Sequence, residues 1–242
     1  MPRWRAVWKM AGFSWRGEWK GFLLTLALAL YVGWLVSMML GDIMQRDRDS
    51  ATSLEIVLDW MYLLLFPAFG QCMNRSSFRI MREDVFTRQV AHWRTLPIPL
   101  STIIQARLLR SILLIPVLGV IFVLLQYSVT AEFRELLSPG GWLAFVWIWI
   151  CYGLAINALL IWLELGCSGK WYMLIYSVVM LVSGLLAGGL KLFDINLVNG
   201  TIDQIAAGHY GWLPAVTLLS ALLLFAGYRL TLRRMQHRAY HF

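Results

Sequence analysis

Gly166-Cys167-Ser168-Gly169-Lys170-Trp171 is the stretch that comes nearest to a phosphate-binding loop. Such a loop needs a glycine, four residues, then Gly-Lys-Ser/Thr, so that successive backbone amides wrap the anion and the lysine reaches it. Here position 164 is Glu and position 171 is Trp. Both ends of the motif fail, and the stretch reads as a tight turn. Nucleophilic and metal chemistry are equally thin. Cys72, Cys151 and Cys167 lack the paired spacing of metal ligands and read as small packing residues. His92, His209, His237 and His241 form no His-Glu-x-x-His arrangement. Ser183 to Gly189 lacks a Gly-x-Ser-Gly nucleophile setting, and Gly184 with Gly188 makes a small-residue face suited to close helix packing. The expectation is a chain that is not itself an enzyme, with no catalytic residue, no metal site and no cofactor of its own.

The surroundings of these residues explain that scarcity. Of 242 residues 60% are hydrophobic and only 14% charged, with mean hydropathy +0.65. A soluble domain carries about 25% charged residues. Six apolar runs approach the roughly 20 residues a spanning helix needs: 21–40, 56–73, 108–127, 142–164, 172–190 and 212–230. The fold expected is an all-α integral membrane protein, one domain over 1–242, with six transmembrane helices. A cleavable signal is the competing reading of the start. The first run is long for a signal core, follows twenty residues rich in Arg and Trp, and lacks a small-residue cleavage site, which favours a retained span.

Lysine and arginine set the orientation. The N-terminal segment, the second-to-third connection, the fourth-to-fifth connection and the C-terminal tail hold five, seven, one and four of them, and the alternate connections only Arg46, Arg48, Arg134 and Lys191. Arg107 and Arg110 are counted in the second-to-third connection. Both termini are therefore expected in the cytoplasm of a multi-pass plasma-membrane protein. The net charge of +8 is a topology signal; a nucleic-acid partner would need a basic face on a soluble module, and none is read here.

Polar residues inside spans are costly and usually functional. Asp59 lies a few residues inside the outer end of span two, where it reaches the interface. Glu164, near the inner end of span four, is expected to pair with Lys170. Asn157 is the deepest strongly polar residue, placed to make an interhelical hydrogen bond or to line a path. Asp59 and Asn157 are the candidate path residues, and so few buried charges suit walls for an amphipathic or lipid-like cargo better than a proton relay.

Three connecting segments have a pattern of their own. Trp4, Val7, Trp8, Met10, Ala11 and Trp15 recur near helical spacing with Arg5, Lys9, Arg16 and Lys20 between them, which predicts an interfacial amphipathic helix in the inner leaflet. Residues 191–211 mix apolar residues with Asn199-Gly200 and predict a hairpin of short segments that caps the bundle or lies on its outer face. In 82–97, REDVFTRQVAHWRTLP, Phe86, Val90 and Trp93 share one helical stripe, Glu83 and Asp84 suit the helix start, and Pro97 ends it.

An N-terminal interfacial helix, six spans with both ends inside, a polar helix of the form REDVFTRQVAHWRTLPIPLSTIIQAR between spans two and three, and a semi-apolar outer segment before the last span together resemble the permease subunits of type-2 ABC exporters. The resemblance covers essentially the whole chain. It implies that the cytoplasmic segment is the coupling helix, with Glu83, Asp84, Phe86, Thr87, Val90, Trp93, Leu96 and Pro97 meeting a groove of a separate ABC ATPase subunit that binds Mg-ATP. It further implies a second permease subunit, identical or not, completing a path for a lipid, peptide or drug in contact with membrane lipid. The departures are Arg88, Arg94 and the large Trp93. A channel or secondary carrier without ATP, or a membrane scaffold or immunity protein, are the readings from other classes.

Overall fold

Long apolar runs become long helices, and the described part of the chain is helical from end to end. A computed structural model describes residues 3–45, 52–71, 91, 93, 95 and 98–237. Its helices are α1 (Arg3–Gln45), α2 (Thr52–Ala68), α3 (Leu100–Val129), α4 (Ala131–Leu136), α5 (Pro139–Gly166), α6 (Gly169–Lys191), α7 (Leu197–Ala206) and α8 (Leu213–His237). Among the described residues there is no strand.

Five stretches are long and apolar enough to cross a membrane: Trp19–Gln45, α3, α5, α6 and α8. The second expected span is the exception. α2 has 17 residues, carries Glu55 and Asp59, contains Pro67, and ends at Ala68, where Gly70 N and Gln71 N turn back to Pro67 O and Ala68 O. It is nevertheless packed along its length, from Glu55 beside Lys191 of α6 to Gly70 beside Arg107 of α3.

Other expectations shift for equally local reasons. The N-terminal amphipathic segment is helical, but nothing breaks it from the first span, and α1 runs through both as one helix of 43 residues. α3 begins eight residues before the expected span, so Arg107 and Arg110 belong to the helix and are buried. Residues 191–211 form no hairpin. Leu192–Asp194 turn with Asp194 at φ 55°, and Asn199-Gly200 lie in the first turn of α7. Ser138 caps α5 by accepting a hydrogen bond from Gly141 N at 3.2 Å, with Pro139 as the first helical residue.

The core is aromatic. Tyr62, Phe66 and Phe69 of α2 meet Phe122 of α3 and Phe145 and Trp149 of α5, with ring centroids 4.8 to 6.4 Å apart. Such offset contacts add to the area buried by each ring. α5 and α6 flank α2, α3 packs on α5, α1 lies beside α3, and α8 lies beside α5. The outward faces of α6 and α8, including Leu181, Leu185, Leu218 and Leu222, are exposed. A bundle with apolar side chains outside and its charges turned inward has the polarity that lipid demands.

α2 and α5 approach at Gly153, where an added Cβ would stand 2.9 Å from the Phe66 carbonyl oxygen and 3.2 Å from Ile115. Backbone occupies that space, so Gly153→Ala is expected to force the helices apart at a cost of about 1–3 kcal/mol. The variant's apparent melting temperature in detergent should fall by several degrees, whereas Gly188→Ala, with nothing within 4 Å, should leave it unchanged.

Candidate functional site at the foot of the bundle

Proline at position 67 removes a backbone N–H, so the Leu63 carbonyl one turn earlier loses its helical donor. α5 supplies a replacement: the Tyr152 hydroxyl donates to Leu63 O at 3.0 Å. One and a half turns further along α5, Asn157 Nδ2 donates to Pro67 O at 3.0 Å. This is the interhelical bond expected of Asn157. Its side chain leaves no room on the facing backbone, since a Cβ at position 70 would stand 2.2 Å from Asn157 Nδ2. A side chain at position 70 would displace Asn157 from its bond to Pro67.

Below Gly70 the carbonyls of the ending helix face a cation. Arg107 of α3 donates from Nη1 to Gly70 O at 3.2 Å and from Nη2 to Gln71 Oε1 at 2.6 Å. Its other face meets Glu164 of α5, with Nε 3.1 to 3.2 Å from both carboxylate oxygens and Nη2 2.8 Å from Oε2. Both side chains are about one-tenth exposed. The expected Glu164–Lys170 pair is thus replaced by Arg107–Glu164. A guanidinium presents donors along two edges, so one residue can hold a carboxylate and a helix end together.

The missed residue had a sequence signal. Ile104, Arg107, Ser111, Leu114 and Leu118 follow the spacing of one helical face, and all are buried. Counting Arg107 as a loop cation hid that it interrupts an inward apolar stripe.

Trp93 packs beside the same node, against the cluster of Ile104, Ile161, Leu165 and Met235. These side chains come from α3, α5 and α8 within a turn of Arg107 and Glu164. Trp93 is therefore turned toward the bundle, while the neighbouring Thr95 is exposed. Glu83, Asp84, Phe86, Thr87, Val90, Leu96 and Pro97 lie outside the described residues, as does Cys72.

At the opposite end Asp59 meets the start of α7. Its Oδ2 and Oδ1 accept the backbone N–H groups of Leu197 and Val198 at 2.7 and 2.9 Å, which caps the N-terminus of α7 from another helix. Glu55 accepts from Lys191 Nζ at 2.5 Å and from Asn196 and Asn199 at 3.2 Å. Val198, Ile202 and Ile205 then fill the top of the core, so α7 closes that end. A polar cleft of about 860 Å³ lies outside it, lined by Glu55, Glu132, Glu135, Lys191, Asp194 and Asp203 among others. Among the described residues no group of three or more His, Cys, Asp or Glu is placed to hold a metal ion.

Comparison of the chain with protein-family models, with curated proteins and with solved structures finds no match.

Removing one partner of a buried ion pair strands the other charge, at a cost of about 3–5 kcal/mol, whereas replacing both by apolar residues is often neutral. Arg107→Met and Glu164→Met are each expected to lower the melting temperature in detergent sharply. The double variant should recover most of the loss; additive losses would mean that the pair is not coupled.

Proposed function

We propose that the chain is the membrane subunit of an ATP-driven exporter of the type-2 ABC kind, in which a separate ATPase pulls on residues 82–97 and the pull reaches the bundle through the Arg107 node. In this reading α2 is a sixth crossing, both termini and the Arg107 end face the cytoplasm, and the Asp59 end faces outward. Lysine and arginine are unequally shared between the two ends, which supports this orientation: among the described residues Lys9, Arg107, Arg110, Lys170 and Arg234 lie toward one, and Arg134 and Lys191 toward the other.

The observation that carries the reading is the position of the ties relative to the segment. The segment leaves α2 after Gln71 and returns as α3 at Leu100. Arg107 binds Gln71 and Gly70 on one side of that gap and Glu164 on the other, and Trp93 inside the gap packs on three helices. A displacement of the segment would be delivered to α2, α3 and α5 as a rigid-body motion instead of being absorbed by a loose end. Each carboxylate described as buried, Glu55, Asp59 and Glu164, is already engaged by a partner. That favours a cargo without a charge relay, moved along apolar walls completed by a second membrane subunit.

Purification from the native host in mild detergent tests this. An ATPase subunit should accompany the wild-type chain and be lost with Glu83→Ala/Phe86→Ala. A folded chain that brings no ATPase even after crosslinking would replace this reading by a carrier or scaffold.

A further inference from the structure

Four dipeptides punctuate the start of the chain: Trp4-Arg5, Trp8-Lys9, Trp15-Arg16 and Trp19-Lys20. Their spacing of four, seven and four residues is a helical one. At about 100° per residue the four tryptophans fall within an arc of about 60°, and the four cations fall within the adjoining arc of similar width. Residues 3–45 are one continuous helix, so this arrangement is a pair of parallel stripes. Trp4, Arg5, Trp8, Lys9, Trp15, Trp19 and Lys20 are all exposed, with Trp4 at 66% and Trp8 at 55%. Lys20 Nζ stands 5.8 Å from the centre of the Trp19 ring.

The stripes are held at the edge of the bundle. Val7 and Ala11 pack on Ala106 and Leu109, the neighbours of Arg107 in α3. Higher up, Gly33 meets Phe122 and Leu125. From Ala11 to Gly33 α1 uses about 33 Å of helix where α3, from Ala106 to Phe122, uses about 24 Å. Val7 and Ala11 set the first turns of α1 beside the Arg107 end of α3, with Trp4 and Trp8 exposed.

We propose that this double stripe is a binding site for the headgroups of anionic phospholipids, with indoles seated at the depth of the ester groups and the four cations meeting phosphates. The charge is complementary. Indole prefers the interface, and the stripe lies where a span enters the bilayer. A neutral zwitterionic surface would satisfy the tryptophans alone. Each cation near an anionic surface is worth about a fivefold change in partition, so a row of them discriminates by headgroup. The site does not depend on which partner, if any, drives transport.

The full chain, purified in detergent, would be equilibrated with an equimolar mixture of phosphatidylglycerol and phosphatidylcholine, and the lipid retained per chain counted by mass spectrometry. Wild type should retain phosphatidylglycerol at least about fivefold in excess. Arg5→Gln/Lys9→Gln/Arg16→Gln/Lys20→Gln should lose the excess with an unchanged melting temperature, while Arg233→Gln/Arg234→Gln should keep it. Equal retention of the two lipids by wild type, or an undiminished excess in the fourfold variant, would overturn the proposal. So would a stripe that captures an acidic protein and shows no headgroup preference.

Discussion

Arg107 carries the foot of the bundle. Arg107, from α3, meets polar groups from two other elements: the Gly70 carbonyl and the Gln71 side-chain amide from the turn after α2, and the Glu164 carboxylate from α5. An arginine buried in an apolar bundle is costly unless its donors are used, and a carboxylate likewise. Bringing them together satisfies both and ties the turn after α2 to α3 and α5. The same constraint operates where Pro67 interrupts the donors of α2. The Leu63 carbonyl left without its helical donor is taken up by Tyr152, and the carbonyls of Pro67 and Gly70 at the helix end accept from Asn157 and Arg107.

The other end is built by the same rule with opposite charge. Asp59 and Glu55 hold the first turn of α7, whose free N–H groups would otherwise be left without partners beneath the cleft. α2 is thus tied at both ends by charged groups and in the middle by rings. It is the shortest of the transmembrane candidates named from sequence. The exposed apolar faces of α6 and α8 contrast with it, being free to meet lipid or another subunit.

The helical class and five of the apolar runs were legible because composition and run length report directly on bilayer solvation. Asn157 was also legible, as a polar residue deep in a run that had to find a donor or acceptor across the interface. Asp59 was visible as unusual, but its role was not, because a cap supplied from a different helix leaves no local spacing to read. Arg107 was misassigned by a boundary: the apolar run starts at Leu108, yet the helix starts at Leu100, and helical sequences such as STIIQARLLR continue past the point where hydropathy falls. Asn199-Gly200 misled for the opposite reason. The turn propensity of that pair was overridden once Val198 and Ile202 had a core to fill and Asp59 had N–H groups to cap. The unbroken α1 shows that a change of environment along a helix does not require a change of backbone.

In the proposed reading, a force applied between Gln71 and Leu100 would reach α2, α3 and α5 together through these ties. The claim on which this rests is mechanical: the foot of α2 is held by Arg107. Hydrogen exchange followed by mass spectrometry on peptides covering 63–71, comparing wild type with the Arg107→Met/Glu164→Met chain, measures it most directly. The account predicts that the amides of Phe69, Gly70 and Gln71 lose protection in the variant while α8 stays protected. Unchanged protection across 63–71 would contradict it and return α2 to the hold of its aromatic packing alone.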